Sequence, residues 1–151
     1  MPPIVRRALL FCACATVVVA LAASSASAGG VPTIKSFKLR GGKVTCVMVG
    51  GSFSGVTCLG KLNSGVRPFP KPNCHGEGDP GGGLGLARTG RAKGLCLSEN
   101  PIVPPVRILH YGSGMTIGGV TCRAVTATIG VRCTNRSGHG FRMSAFGWAR
   151  F

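Results

Sequence analysis

The sequence predicts an all-β fold: a small disulfide-stapled sandwich or barrel with two related hairpins and little or no helix. Three observations carry this reading. Six cysteines follow a segment with the marks of an export signal. Short runs rich in β-branched residues alternate with glycine and proline turns. No segment of the chain shows a 3.6-residue apolar period capped at both ends.

At the N-terminus, Arg6 and Arg7 give a positive region, residues 8–23 an uncharged apolar stretch, and Ala26-Ser27-Ala28 the small residues at which a signal peptidase cuts. Residues 1–28 therefore read as a signal peptide. The apolar run is shorter than the roughly 20 residues that cross a bilayer, and Cys12 and Cys14 stand too close to the arginines for a lipid anchor. No transmembrane segment is expected after cleavage, and the expected location is secreted or extracytoplasmic, in the cell envelope. Residues 29–36 read as an N-terminal tether and 37–151 as a single disulfide-rich β-domain.

The first β-pattern is Val44, Cys46 and Met48 alternating with Thr45, Val47 and Val49. A turn over residues 50–55 leads into a returning strand, Val56-Thr57-Cys58-Leu59. The pattern recurs: Gly119-Val120-Thr121-Cys122 matches Lys43-Val44-Thr45-Cys46, and Gly130-Val131-Arg132-Cys133 matches Gly55-Val56-Thr57-Cys58. A cysteine on each arm of a hairpin lands opposite its partner when the turn lies midway, which favours Cys46–Cys58 and Cys122–Cys133. Cys74 and Cys96 then bracket the middle of the chain as a third bridge. By the chain-entropy argument each loop contributes about 3 kcal/mol, a large help to a chain with 25 glycines.

Between the two units, Arg67-Pro68-Phe69-Pro70-Lys71-Pro72 should be extended. Residues 76–85 read as a glycine-rich loop with Asp79-Pro80-Gly81 as a turn, and residues 100–105 as a proline-rich connection. At the C-terminus Phe141, Met143 and Ala145 share one face. The phase then slips to Phe146 and Trp148, so one core strand with a bulge at Gly147 is expected.

Cys46 with Gly55-Val56-Thr57-Cys58, a proline-rich run ending at Cys74, Gly94-Leu95-Cys96, Leu109-His110-Tyr111-Gly112, Cys133-Thr134-Asn135 and Gly138-His139-Gly140-Phe141-Arg142-Met143-Ser144 occur in one order. In this the chain resembles a family of small exported cysteine-containing proteins, found mostly in actinobacteria, whose domain has no known function. The resemblance spans residues 37–151. Arg40-Gly41-Gly42-Lys43 stands where the family has a Pro-Ser-Gly-Asn type of turn. The resemblance implies a bacterial exported protein and brings no activity or site residues.

Without the signal peptide the chain keeps 16 of its 18 Lys and Arg against Glu77, Asp79 and Glu99, a net charge of +13. Such a surplus favours anionic polymers or surfaces, nucleic acid among them without specificity. If Cys122 faces Cys133, Arg123 faces Arg132 on the opposite side of the ribbon, and in the first hairpin Lys43 faces Lys61. Like charges directly opposed are unfavourable, and a bound anion relieves them. Arg123, Arg132, Arg136, Arg142, Lys43 and Lys61 are accordingly the candidate anion-binding residues.

Enzyme readings are narrow. Glu77 and Asp79 read as turn residues rather than a catalytic pair. His75, His110 and His139 beside basic residues leave a small secreted hydrolase, above all a nuclease, as one alternative. A protein inhibitor or interaction module is another. No catalytic residue is assigned. No cofactor or metal is implied, since no CxxC pair occurs and the histidines lack zinc-ligand spacing from two cysteines. The expected role is that of a non-enzymatic exported basic β-domain.

Overall fold

The computed structural model describes residues 31–52, 54–72, 74, 79–97 and 106–151. The stretch read as a signal peptide, His75, Glu77, Glu99 and the stretch read as a proline-rich connection over 100–105 lie outside them.

Eleven strands and no helix occur among the described residues. They are β1 (Ile34–Leu39), β2 (Val44–Val49), β3 (Gly55–Gly60), β4 (Asp79–Ala87), β5 (Lys93–Leu97), β6 (Arg107–Leu109), β7 (Gly114–Ile117), β8 (Val120–Ala124), β9 (Val131–Asn135), β10 (Gly140–Ser144) and β11 (Gly147–Arg150). One sheet has the order β5-β4-β3-β2-β1-β6, the other β11-β10-β9-β8-β7. All neighbours are antiparallel except β1 and β6. The two sheets share one buried core, so the molecule is a β-sandwich.

The core follows from period-2 alternation. In β2, Val44, Cys46 and Met48 are buried while Thr45, Val47 and Val49 are half-buried. In β8, Val120, Cys122 and Ala124 are buried while Thr121 and Arg123 are exposed. Phe37, Cys46, Cys58 and Leu84 stand opposite one another across β1–β4. Met115, Cys122, Cys133 and Phe141 repeat that row across β7–β10. The two related hairpins thus extend into two related four-strand meanders, one in each sheet. Between β7 and β8 the two-residue turn is Gly118-Gly119, with φ of 57° and 84°. These values suit a tight hairpin, and glycine adopts them without strain.

The bridges are Cys46–Cys58, Cys122–Cys133 and Cys74–Cys96. The first two join directly paired residues whose Cα atoms lie 4.0 Å apart, and their four cysteines are fully buried. Each therefore fixes the register of its hairpin from inside the core.

Three expectations are corrected. The glycine-rich stretch is not a loop from 79 onward but the nine-residue β4, with an irregularity between Gly81 and Leu84. Its glycines make room for a neighbour: a Cβ on Gly83 or Gly85 would meet the Leu95 side chain at 3.0 and 2.9 Å. The C-terminus is not one bulged strand but the hairpin β10–β11, reversing at Ala145 and Phe146. Ser144 Oγ accepts the Phe146 N–H at 3.1 Å in that turn, and Phe146 is 62% exposed rather than in the core. Lastly, β1 begins at Ile34, inside the stretch read as a tether.

The proline-rich run closes one open side of the sandwich, between edge strands β5 and β11. Trp148 Nε1 on β11 donates to the carbonyls of Arg67 and Pro68 at 3.2 and 3.1 Å. Phe69 stacks on Trp148 with ring centroids 6.2 Å apart and packs against the core. Further along, Pro70 and Pro72 crowd Gly94 of β5, and Cys74–Cys96 secures the end.

Cys96 is exposed and Cys74 half-buried, in contrast to the other four cysteines. Mild reductant on the native protein should therefore open Cys74–Cys96 first. Alkylation followed by peptide mass mapping should find Cys74 and Cys96 labelled while Cys46, Cys58, Cys122 and Cys133 remain bridged. Simultaneous labelling of all six would contradict this order.

Candidate functional site

Because Cys122 and Cys133 point inward, Arg123 and Arg132 point outward, and the ladder pairs them directly. Arg132 is also paired with Arg142 on β10. The three arginines form a straight row across β8, β9 and β10 on the outer face of the second sheet, and all are exposed. Adjacent strands lie about 4.8 Å apart, so the row is about 10 Å long at the backbone. Gly114 on β7 pairs with Arg123, and Ala149 on β11 with Arg142. The row thus ends on small residues in the ladder at both sides.

Two residues along the strands runs a second row, Thr116–Thr121–Thr134–Gly140. The Thr116 and Thr121 hydroxyls are 2.9 Å apart. Beyond it lies Phe151, whose backbone exchanges hydrogen bonds with Gly140 at 2.8 and 3.1 Å. The Arg132 guanidinium sits 4.4 Å from the Phe151 ring centroid. Arg123 Nε donates to the Gly112 carbonyl at 3.4 Å. At the other end of the row, Arg142 borders a hollow of about 310 Å³ with Ile129 and the exposed ring of Phe146. The face therefore offers guanidinium charge, neutral hydroxyls and flanking aromatic rings.

Its electrostatics are one-sided. Residues 106–151, which form β6–β11, contain Arg107, Arg123, Arg132, Arg136, Arg142 and Arg150, with no lysine and no acid. Arginine presents a planar fork of donors that matches phosphate and carboxylate oxygens in pairs.

The other candidates stand elsewhere. Arg136 follows β9 at the far end of the sandwich, where its side chain lies against the Gly118-Gly119 turn. Lys43 and Lys61 are opposed on the first sheet, with Lys61 N–H donating to the Lys43 carbonyl at 2.8 Å. Their side chains line different clefts, Lys43 with Tyr111 and Phe146, Lys61 with Phe69 and Lys71. Lys43 Nζ donates to Asn63 Oδ1 at 2.7 Å. Of the six, the fold gathers Arg123, Arg132 and Arg142 and leaves the rest apart.

His110 and His139 do not share a site. His110 lies beside Ser113 and the start of β7, and His139 in the turn between β9 and β10, at opposite ends of the strands. Asp79 opens β4. Among the described residues no three His, Cys, Asp or Glu side chains gather as a metal site.

Asn135, which begins an Asn-Arg-Ser glycosylation sequon, is 8% exposed. Its Nδ2 donates to the Ala87 and Gly90 carbonyls at 3.0 and 2.7 Å. Its Oδ1 accepts from the Ser137 and His139 N–H groups and the Ser137 hydroxyl at 3.2, 3.1 and 3.0 Å. One amide thus ties the β4–β5 turn to the β9–β10 turn across the two sheets, and none of its atoms is left to carry a glycan.

Sequence reasoning missed Phe146, Phe151, Arg91 and Arg150 as site residues. Only the closing of the C-terminal hairpin brings the first two beside the arginines, and Arg150 meets its partner Ala92 58 positions away. What fold and site define together is a basic, disulfide-stapled β-sandwich with an arginine-lined outer face. Comparison with known proteins gives no match, whether to family models, curated sequences or solved structures.

Arg142→Gln should raise stability by about 0.5 kcal/mol at low ionic strength, since it removes a directly opposed like charge. The gain, read from denaturant midpoints, should shrink as salt is added. Asn135→Ala should cost about 2 kcal/mol, because it removes all five hydrogen bonds by which one buried amide holds the two turns together. An unchanged midpoint for Asn135→Ala would contradict its role as the tie between the turns.

Proposed function

We propose that the protein is an exported, non-enzymatic basic β-domain that associates with anionic polymers of the cell envelope or extracellular medium. The contact surface is the outer face of β7–β11. The observation that carries the reading is the row Arg123–Arg132–Arg142, three directly opposed arginines in a segment without one acidic residue. Such a row is electrostatically unfavourable in the free protein and is relieved when a line of anions is laid over it. The adjoining threonines and the rings of Phe146 and Phe151 suit a polymer that carries hydroxyl or ring groups between its charges. Three disulfides support an oxidising, extracytoplasmic location. No helix among the described residues is long and apolar enough to cross a membrane.

The test is retention on a phosphodiester-polymer column across a salt gradient. The triple variant Arg123→Gln, Arg132→Gln, Arg142→Gln should elute at lower salt. Its plot of log affinity against log salt should flatten by about 3 units, roughly one per lost phosphate contact. Lys43→Gln with Lys61→Gln should change the slope by less. Equal elution of the triple variant and the parent protein would sink the proposal.

A further inference from the structure

Beside the arginine face, at the end of the sandwich marked by Asn135, lies a cleft of about 500 Å³. Five residues from three parts of the chain line it: Arg91 and Ala92 between β4 and β5, His139 between β9 and β10, and Arg150 and Phe151 at the end of β11. The elements that carry them are held by interactions already in place. Asn135 joins the first two turns through Gly90 and His139, and Gly90 N–H donates to Ser137 Oγ at 3.1 Å. The Arg150 guanidinium is set by its 3.4 Å contact from Nη1 to the Ala92 carbonyl and by the Trp148 ring 5.8 Å away. A guanidinium has five N–H donors, so Arg150 keeps donors beyond the one used there.

The chemistry is that of an oxyanion receptor. Three residues with donor side chains, Arg91, His139 and Arg150, line it from three separate elements. No Asp or Glu occurs in residues 80–98 or 100–151, so no acid belongs to any of those elements. A planar carboxylate offers two oxygens and one negative charge. A phosphate monoester offers three terminal oxygens and close to two negative charges, and so can engage three donors arriving from different directions. The Phe151 ring supplies one apolar wall for the organic part of the ester.

We infer that this cleft is a binding site for a phosphate monoester; it shares Phe151 with the arginine face but none of that face's arginines. Arg91 and Arg150 clamp the phosphate, His139 donates a third hydrogen bond, and Phe151 flanks the esterified group.

Isothermal titration of the protein with phenyl phosphate and with benzoate tests this, because the two probes share a ring and differ in the anion. Phenyl phosphate should bind at least about tenfold more tightly than benzoate. Arg91→Gln, at an exposed turn position, should weaken phenyl phosphate by about tenfold without loss of fold by circular dichroism. His139→Gln should weaken it less. Arg123→Gln with Arg142→Gln should leave it unchanged. No binding of phenyl phosphate, equal affinity for the two probes, or binding lost with Arg123→Gln and Arg142→Gln but kept in Arg91→Gln would each overturn the assignment.

Discussion

Register is the constraint on which the rest of this molecule depends. Cys46–Cys58 and Cys122–Cys133 each join residues that face each other across a hairpin, and both bonds lie in the core. In a strand a slip of one residue turns every side chain to the other face. These bridges forbid that slip. They set which way Val44, Met48, Val120 and Val131 point, and so which residues build the core. They equally oblige Arg123 and Arg132 to meet on the outside. The interior bond and the exterior charge row are two faces of one pairing.

The second sheet carries its charge in an unusual way. Its strands and turns use arginine alone, and no acid stands among them. A protein selected only for solubility would spread both signs over its surface. Here three guanidiniums are stacked in one line, and one of them is laid over an aromatic ring, which offsets part of its repulsion. Beneath the first two arginines the Cys122–Cys133 bond holds β8 and β9 in place.

Much of the architecture is legible in the sequence because it is local. The β-branched alternation around Cys46 and the matching interval around Cys122 lead to the right strands and, through the midpoint of each hairpin, to opposed cysteines. The strand nature of the glycine-rich stretch is not legible because glycine lacks a side chain from which to read a face. Its strand character comes from β3, β5 and the Leu95 side chain that fills the space. The C-terminal reversal is not legible because Phe141 to Trp148 keeps an apolar count that suits one strand as well as two. At the site, Arg123, Arg132 and Arg142 follow from the pairing of adjacent strands. Arg91, Arg150 and Phe151 do not, because only the packing of one sheet on the other brings the 91–92 turn to the end of β11.

The proline-rich run that packs under Trp148 has a consequence for behaviour in crowded surroundings. Open sheet margins can recruit strands from other molecules. On one side of this protein both margins adjoin a segment rich in residues that have no N–H to offer a newcomer. On the other side the marginal strands β6 and β7 are only three and four residues long. Copies brought close together would thus find little template for fibre growth in one another.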